Sequence, residues 1–384
     1  MKTNSHSLFV SMLLAAIMAG VGFAGWMQAQ AGGLHLPITL NPEGSIMDGK
    51  SMPEQTNQWK RVWTWPAGAA LSGAPRPLMD GGWVIATDKG RVAALSDDGK
   101  MRWSVSFTNL SFVDSPVVAG MNLILVADDG QVLALDAANG KNLWQVSVEG
   151  SFRHGPMAMR EGDGWQIVLL SSANGVLTAL DAKDGHALWH SEPTDRSDGT
   201  PATDGKMIAY GNCGSAVHVF DATSGVKVTS IPVGRDAQMA GGALYLNGRV
   251  YGGTRSGELV CVNVASNTVA WHAHVAAGEA FSTPVAVGDL VLMGTSAGTV
   301  TAFQADDGAE KWKASLSNAV DALCVVDQSV FALSGGALKG LKATDGSVFM
   351  SLAVGDRVTA PTANGSRVAL ADDSGMVIVF GEGF

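Results

Sequence analysis

The 384-residue sequence is poor in charge, in cysteine and in helical patterning. Only 16% of its residues are Asp, Glu, Lys or Arg, and its 25 basic residues leave a formal net charge of −10. Binding to nucleic-acid phosphates needs clustered Lys and Arg, so we expect no nucleic-acid partner. Long helical patterns are absent. In contrast, 48 glycines and 46% hydrophobic residues are typical of short buried strands joined by tight turns.

The chain has three cysteines, Cys213, Cys261 and Cys324. An odd number cannot pair completely within an exported chain, and their spacing fits neither a CxxC motif nor a metal site. Free Cys behaves as a small hydrophobic residue. We therefore predict buried thiols and no functional disulfide.

The first 31 residues differ in composition from the remainder. Leu8 to Trp26 is almost wholly apolar, and Ala29-Gln30-Ala31 is a small-x-small site of the kind that a signal peptidase cleaves. Two interpretations are open: a cleaved signal peptide over residues 1–31, or a retained membrane helix, since about 20 apolar residues cross a bilayer. Either one predicts a periplasmic, extracytoplasmic location. Residues 32–58 are predicted to be a linker or extended arm.

A repeated unit organises the rest of the chain. It reads Gly-x-Val-x-Ala-Leu-Asp-Ala-x-x-Gly-x-x-x-Trp, and its best copy runs from Gly130 to Trp144. Eight copies, some of them degenerate, start at residues 90, 130, 175, 215, 257, 298, 336 and 375. Comparable propeller repeats have a period of about 40–45 residues for each four-stranded blade. The sequence therefore predicts an all-β fold, an eight-bladed β-propeller over residues 59–384.

Each unit predicts a hairpin, because an apolar alternation is followed by a Gly-containing turn and by a second alternating run that begins at Trp. Stretches such as Ser115 to Asp129 supply the other two strands of an antiparallel blade. The last copy, from Gly375, ends before its Trp strand. Lys60 to Trp65 resembles the missing strand, so we predict that it completes the eighth blade and closes the ring.

Two sets of residues are singled out by the repeat. Six tryptophans hold one repeat position and are predicted to pack blade on blade: Trp63, Trp103, Trp144, Trp189, Trp271 and Trp312. The segments that lead into the first strand of each blade differ from blade to blade and would face the central channel or its mouth. Their candidate channel or partner-binding residues are Asp114, Arg153, His154, Asp198, Arg235 and Asp321, with Ser282 and Thr359 at the same position in other blades. A solvated rim without a specific site is the alternative.

The sequence offers only isolated candidates for catalysis or metal binding. It shows no Ser/His/Asp set and no histidine cluster, and acidic turns such as Asp128-Asp129-Gly130 lack the further ligands of a calcium loop. His272 and His274 would share one face of a strand, without an identified third metal ligand; a half-exposed outer strand is the simpler interpretation. We predict that the chain is not an enzyme and holds no cofactor or metal.

The eight copies across residues 60–384 resemble the pyrroloquinoline-quinone (PQQ)-like repeat family. Its quinoprotein alcohol dehydrogenases would imply PQQ, a calcium ion and a catalytic Asp in the channel, but they are much longer and carry adjacent cysteines. The BamB-type subunits of the outer-membrane β-barrel assembly machinery are similar in length and in closure by an N-terminal strand. This chain lacks a Cys after its apolar stretch, so a lipid anchor of the BamB type is not expected.

The resemblance implies a non-enzymatic scaffold, a monomeric propeller that binds protein partners in an envelope complex during outer-membrane protein assembly. Membrane association would come through those partners or through a retained N-terminal helix. Two alternatives stay open: a small PQQ-binding redox protein that uses calcium, and a structural subunit anchored in the membrane by residues 8–26. We expect partner contacts on loops, including an insertion around Arg160 to Trp165.

Overall fold

A computed structural model describes residues 59–382, except residues 236, 240, 276–278, 280, 281 and 356. The predicted signal peptide or anchor over residues 1–31 and the predicted arm over residues 32–58 lie outside the described residues. Within them, thirty-two strands form eight four-stranded antiparallel sheets, each of which is one blade. No helix in this part of the chain is long and apolar enough to cross a membrane.

The strands follow one another around the ring, four to a blade, after β1 (Trp59–Pro66). Blades 1 to 4 consist of β2 (Arg76–Pro77), β3 (Trp83–Ala86), β4 (Arg91–Leu95) and β5 (Met101–Ser106); β6 (Val117–Ala119), β7 (Asn122–Val126), β8 (Gln131–Asp136) and β9 (Asn142–Ser147); β10 (Met157–Glu161), β11 (Gly164–Leu170), β12 (Leu177–Asp181) and β13 (Ala187–His190); and β14 (Ala202–Thr203), β15 (Met207–Gly211), β16 (Ala216–Asp221) and β17 (Lys227–Pro232).

Blades 5 to 8 repeat this order and end with the strand from the beginning of the propeller. They consist of β18 (Leu244–Leu246), β19 (Arg249–Gly253), β20 (Glu258–Asn263) and β21 (Thr268–His274); β22 (Val285–Val287), β23 (Leu290–Gly294), β24 (Thr299–Gln304) and β25 (Glu310–Ser315); β26 (Val320–Val326), β27 (Ser329–Ser334), β28 (Ala337–Lys342) and β29 (Val348–Ala353); and β30 (Thr362–Asn364), β31 (Arg367–Ala371), β32 (Met376–Glu382) and β1.

The eighth blade is closed by β1. This strand pairs antiparallel with β32, from Trp59 opposite Glu382 to Pro66 opposite Met376. Blade 8 therefore contains strands from both ends of the described chain, and β1 covers the edge of β32 that would otherwise be open. The predicted eight-bladed propeller and its closure by an N-terminal strand are confirmed.

The core of the molecule lies between the blades. The second and third strands of a blade are buried on both faces, as in β3 and β8, because a neighbouring blade covers each face. In β8, Leu133 and Leu135 pack against blade 1, whereas Val132 and Ala134 pack against blade 3. The outermost strand instead alternates between half-buried and exposed residues, as in β21, because one of its faces meets solvent.

The repeat tryptophans reach from the outer strand of one blade to a turn of the next. Trp144 donates from Nε1 to the Ala182 carbonyl at 3.0 Å, and a Cβ at Gly185 would lie 2.6 Å from the ring atom Cε3. Gly185 has φ of 79°, so both its backbone conformation and the ring require glycine. The same pair of contacts joins Trp63, Trp103, Trp271 and Trp312 to the turns of Gly99, Gly140, Gly308 and Gly346.

Trp189 departs from this arrangement. Its ring packs on Gly225, but its Nε1 is buried without a hydrogen-bond partner among the described residues. The Ala222 carbonyl in that turn accepts instead from Gln166 Nε2 at 2.6 Å. An unpaired buried N–H costs about 1–3 kcal/mol, so the tryptophan contact between blades 3 and 4 stabilises the ring less than the others do.

The turns lie at two ends of the propeller. In an antiparallel meander, the turn between the second and third strands and the connection to the next blade fall at the same end, which we call the connection end. The segments leading into the first strands lie there. Arg160 and Trp165 belong instead to β10 and β11, which pair up to Glu161 opposite Gly164. The prediction of a loop insertion at this place is therefore wrong.

Candidate functional site

Four of the predicted rim residues lie at neighbouring points of the connection end. Asp114 precedes β6, Arg153 and His154 precede β10, and Asp198 precedes β14. Each connection crosses from the outer strand of one blade to the inner strand of the next, so its last residues reach the mouth of the channel. The ring thereby brings together side chains that are far apart in the sequence.

Asp198 is the centre of this group. Its carboxylate oxygens accept hydrogen bonds from Arg196 Nε at 3.0 and 3.1 Å, and Arg196 Nη2 lies 3.0 Å from Oδ2. Arg153 Nη1 is 4.0 Å from Asp198 Oδ1. His154 Nε2 lies 2.6 Å from the Asp198 carbonyl, and because a carbonyl only accepts, this nitrogen carries the proton. Two connections are thus joined through one aspartate.

The pKa of Asp198 reflects these neighbours. Burial of its side chain, which is 15% exposed, raises the pKa, but the hydrogen bond from Arg196 and the charges of Arg196, Arg153 and Arg255 outweigh this and hold the pKa below its ordinary value. The interaction with Asp198 raises the pKa of Arg196 in turn. We call Arg153, Arg196 and Arg255 around Asp198 the arginine cluster.

The arginine cluster carries positive charge on an acidic protein. The side chains of Arg153, Arg196 and Arg255 are 60%, 56% and 42% exposed. Arg255 Nη1 also lies 3.7 Å from Glu279 Oε1, and Asp128 lines the pocket beside Arg153, so the three exposed arginines lie among carboxylates. Exposed guanidinium groups bind carboxylates in a planar, two-pronged geometry. This surface is suited to an anionic group on a partner.

A shallow pocket of about 510 Å³ adjoins the cluster. Its polar lining includes Asp128, Arg153, His154 and Asp198. Phe112 and Phe152 form part of its wall, but they are core residues, only 3% and 8% exposed. The pocket therefore adds mainly polar surface beside the cluster.

Asp114 holds two blades together. Its Oδ2 accepts from the backbone N–H of Gly155 at 2.9 Å, and its Oδ1 accepts from that of Ser115 at 2.6 Å. It also borders a cavity of about 420 Å³ at the inner strands, together with Arg76 and Pro156. Both carboxylate oxygens are thus engaged in fixing the connections of blades 2 and 3.

Arg235 and Asp321 lie in other segments of the chain than Asp198 and its neighbours. Arg235 is exposed in the connection between β17 and β18. Asp321 is a residue of β26 itself, at a bulge in blade 7, so its placement in a segment before the first strand was wrong. Partial burial raises the Asp321 pKa.

Ser282 and Thr359 make hydrogen bonds inside their own blades. Ser282 Oγ accepts from Gly294 N at 2.9 Å, and Thr359 Oγ1 accepts from Ala371 N at 3.0 Å. Each hydroxyl ties the segment before an inner strand to the second strand of the same blade. Their contacts explain them as structural residues.

The candidate metal residues and the cysteines are spread over several blades. His272 and His274 are exposed on β21, and His272 Nδ1 is 3.8 Å from Glu258 Oε2. Cys261 and Cys324 are buried, and burial raises their pKa, to about 12 for Cys324. Cys213 is half-buried, with its Sγ 3.9 Å from Asp198 Oδ2, which places it beside the arginine cluster.

Comparison with known protein families identifies the family to which the chain belongs. A family profile described as outer membrane protein assembly factor BamB matches residues 54–204, 161–242 and 214–381. The chain belongs to this family. The predicted relationship to BamB-type proteins is therefore confirmed.

Individual members of the BamB family are distant relatives. The outer membrane protein assembly factor BamB of Bordetella pertussis is 24% identical over 313 residues, which are 76% of this chain and 74% of that protein. The corresponding protein of Nitrosomonas eutropha is 25% identical over 181 residues, and this match spans only 41% of its length. The crystal structure of BamB from Moraxella catarrhalis superposes with a TM-score of 0.70 at 18% identity, covering 84% of this chain and all of that one. That likeness shows the fold.

Three members of the site in this BamB-family chain were missed from the sequence: Arg196, Arg255 and Cys213. Arg255 and Cys213 lie in turns between second and third strands, positions that the repeat pattern marks as structural. Arg196 carried a usable signal, because residues two apart in an extended segment point the same way, and Arg196 stands two residues before Asp198.

Proposed function

We propose that the chain is a non-enzymatic scaffold that binds protein partners in the bacterial cell envelope during the assembly of outer-membrane proteins. The arginine cluster carries the proposal, because it presents exposed guanidinium groups beside a shallow pocket on the rim. The family supports the setting, since its relatives are named outer membrane protein assembly factors. The proposed location is the periplasm.

The rigidity of the rim favours this function. Asp198 already orients Arg196 through hydrogen bonds to both carboxylate oxygens, so little side-chain freedom is lost when a partner binds. Preorganisation of this kind increases affinity because less entropy is lost on association. The partner that fits presents an acidic side chain to the exposed arginines.

The test is retention of envelope proteins by the immobilised full-length chain. We expect the wild type to retain a defined set of proteins from detergent-solubilised envelope, and the double variant Arg153→Ala/Arg196→Ala to bind them at least about tenfold more weakly, because two charge-assisted hydrogen bonds are lost. Mass spectrometry identifies the retained proteins.

The control is Arg102→Ala. Arg102 Nη1 bonds Asp80 at 2.8 Å at the opposite end of the propeller, so its loss removes the same kind of ion pair without touching the cluster. Equal retention by all three proteins would show that the cluster is not the binding site. A wild-type chain that retains no envelope protein above a blank resin would overturn the scaffold proposal.

The PQQ-binding alternative requires a free carboxylate in the channel. Asp114, which borders the inner cavity, has both oxygens engaged by backbone N–H groups, so it is not free for this role. Titration of the pure protein with PQQ and calcium separates the two. Stoichiometric quinone absorbance with dye reduction would establish a redox protein.

The membrane-anchored alternative depends on residues 8–26. Mass spectrometry of the native N-terminus distinguishes it, since a mature chain that starts at Gly32 has lost the apolar stretch. A chain that retains Leu8 to Trp26 would instead be held in the membrane directly.

A further inference from the structure

A turn of blade 4 adjoins the arginine cluster. Residues 212–215 connect β15 to β16. Cys213 N donates to the Arg196 carbonyl at 3.0 Å, and Cys213 Sγ lies 3.9 Å from Asp198 Oδ2. A movement of this turn would therefore displace the backbone of Arg196 and change the surroundings of the Asp198 carboxylate.

The turn has an unfavourable backbone conformation. Ser215 has φ of 60°, whereas the equivalent turns of blades 2, 3 and 5 place Gly130, Gly175 and Gly257 at positive φ. A left-handed conformation disfavours any residue with a Cβ, so hydrogen bonds have to offset the strain in this turn. Asn212 supplies two of them: its side-chain Oδ1 accepts from Ala216 N at 3.1 Å, and its backbone N donates to Ala216 O at 3.2 Å.

His218 fixes the amide of Asn212. Because Oδ1 of Asn212 accepts from Ala216, its Nδ2 faces His218 Nε2, at 2.7 Å. An amide NH₂ only donates, so Nε2 is the acceptor and carries no proton. Nδ1 then donates to Ser230 Oγ at 2.8 Å. The imidazole is 8% exposed and is held as one neutral tautomer.

The surroundings of His218 disfavour its charged form. Burial lowers its pKa, and the charge of Lys227 on β17 lowers it further, whereas Asp195 in the connection before β14 raises it. The Tyr210 ring on β15 lies 5.7 Å from the imidazole, and burial raises the pKa of that phenol, which stays uncharged. Only acid conditions therefore protonate the imidazole in the folded state.

We propose that His218 is an acid-sensitive latch of the arginine cluster, whose protonation releases the 212–215 turn and weakens partner binding. A proton on His218 Nε2 would place two hydrogen-bond donors, Nε2–H and the Nδ2 amide of Asn212, opposite each other without an acceptor. Rotation of the amide would relieve this conflict but would break the bond from Ala216. Only the effect on the partner rests on the proposed function; the release of the turn is a property of the chain alone.

Hydrogen exchange of the full-length chain without a partner tests the latch. We expect protection of the Cys213 and Ala216 amides, corrected for intrinsic rates, to fall by up to about tenfold between about pH 7.5 and about pH 5.5. In His218→Gln the side-chain carbonyl accepts from Asn212 at both pH values, so protection should stay constant. Unchanged protection in the wild type, or an equal loss in the variant, would overturn the proposal.

Two further variants sharpen the result. Asn212→Asp places a carboxylate that accepts from both Ala216 and protonated His218, so protection should rise at acid pH; this variant also decides the matter if His218→Gln does not fold. His190→Gln is the matched control. In blade 3, Thr178 and His190 are a cross-strand pair at the register position that His218 and Ser230 hold in blade 4, and the Thr178 hydroxyl lies 3.0 Å from His190 Nδ1. His190 is exposed, and its loss should leave the response of the turn unchanged.

The effect on the partner is measured by retention of envelope proteins at the same two pH values. Acid should weaken retention by the wild type at least about threefold more than by His218→Gln. Equal pH dependence in both would overturn the link to the cluster. A wild type that retains nothing at either pH would refute the proposed function and leave the exchange result standing.

Discussion

At the scale of the residue, the fold depends on a tryptophan from one blade and a glycine from the next. Gly185→Ala would put a Cβ 2.6 Å from the Trp144 ring at a φ of 79°. We expect it to lower the free energy of unfolding by about 2–5 kcal/mol, the sum of left-handed strain and overpacking. Gly205→Ala, with φ of 87° and nothing within 4 Å, should show only the strain, about 1–2 kcal/mol. Urea denaturation measures both, and equal losses would contradict the ring contact.

Asp198 allows a prediction of pH dependence at the same scale. Its pKa in the folded protein lies below the ordinary 3.8, so the stability that it contributes is complete above that value and is lost as the pH falls through the folded pKa. Asp198→Asn should lower the free energy of unfolding by about 1–3 kcal/mol at neutral pH. The difference from the wild type should shrink towards about pH 2.

The matched control for Asp198 is the ion pair of Asp80 with Arg102. The Asp80 side chain is 71% exposed, so Asp80→Asn should change the free energy of unfolding by less than about 1 kcal/mol. Urea denaturation at both pH values compares the two variants. If both substitutions change the free energy of unfolding equally, burial and the neighbouring arginines do not increase the contribution of Asp198 to stability.

At the scale of the element, the closing strand is the most testable. Trp59 is 7% exposed and packs on Phe331 in blade 7, with ring centroids 4.4 Å apart. Trp59→Ala should cost about 3–5 kcal/mol of unfolding free energy, as buried aromatic truncations do. Val62 in the same strand is 41% exposed, and Val62→Ala should cost less than about 0.5 kcal/mol. Equal thermal midpoints for the two variants would mean that β1 does not hold the ring.

The strands also mark what could be predicted from sequence. The third and fourth strands were visible because Gly, Asp and Trp recur in register, and β1 was found through its likeness to a Trp strand. The inner strands were predicted only in stretches such as Ser115 to Asp129, and their lengths range from two residues in β2 to seven in β26. Asp321 was therefore misplaced, because a bulge that lengthens β26 leaves no local signature. The extension of β10 and β11 was mistaken for a loop because the extra residues of this blade lengthen the hairpin in continuous register, which their sequence does not reveal.

At the scale of the whole molecule, the site arises from the packing of neighbouring blades. Arg153 and Asp198 precede the first strands of blades 3 and 4, and Arg255 lies in a turn of blade 5, so the side-by-side packing of successive blades brings them to one rim. A repeat period predicts that such a rim exists but not which side chains meet on it, because that depends on the path of each connection. The same dependence explains why a chain of net charge −10 can gather three exposed arginines on one part of the rim.

Closure of the ring predicts the behaviour of a circular permutant. Trp59 lies opposite Glu382, so a short turn can join them and make blade 8 an ordinary four-strand meander. New termini at residues 162 and 163 fall in the β10–β11 turn, where Gly162 has φ of 57° and nothing within 4 Å. We expect this permutant to keep its β-sheet circular dichroism and to melt within a few degrees of the parent, because a change in loop connectivity alters closure entropy only slightly.

A second permutant with its new termini beside Gly185 supplies the comparison. That turn lies against the Trp144 ring, so cutting the chain there frees the glycine that the ring covers. Loss of this contact between blades 2 and 3 should lower the thermal midpoint well below that of the first permutant. If both permutants melt alike, blade-to-blade contacts through the tryptophan turns do not determine stability. If neither permutant folds, the pairing of β1 with β32 has to form between free chain ends. The natural order of the strands is then needed for folding to proceed, even though the closed ring could hold either order.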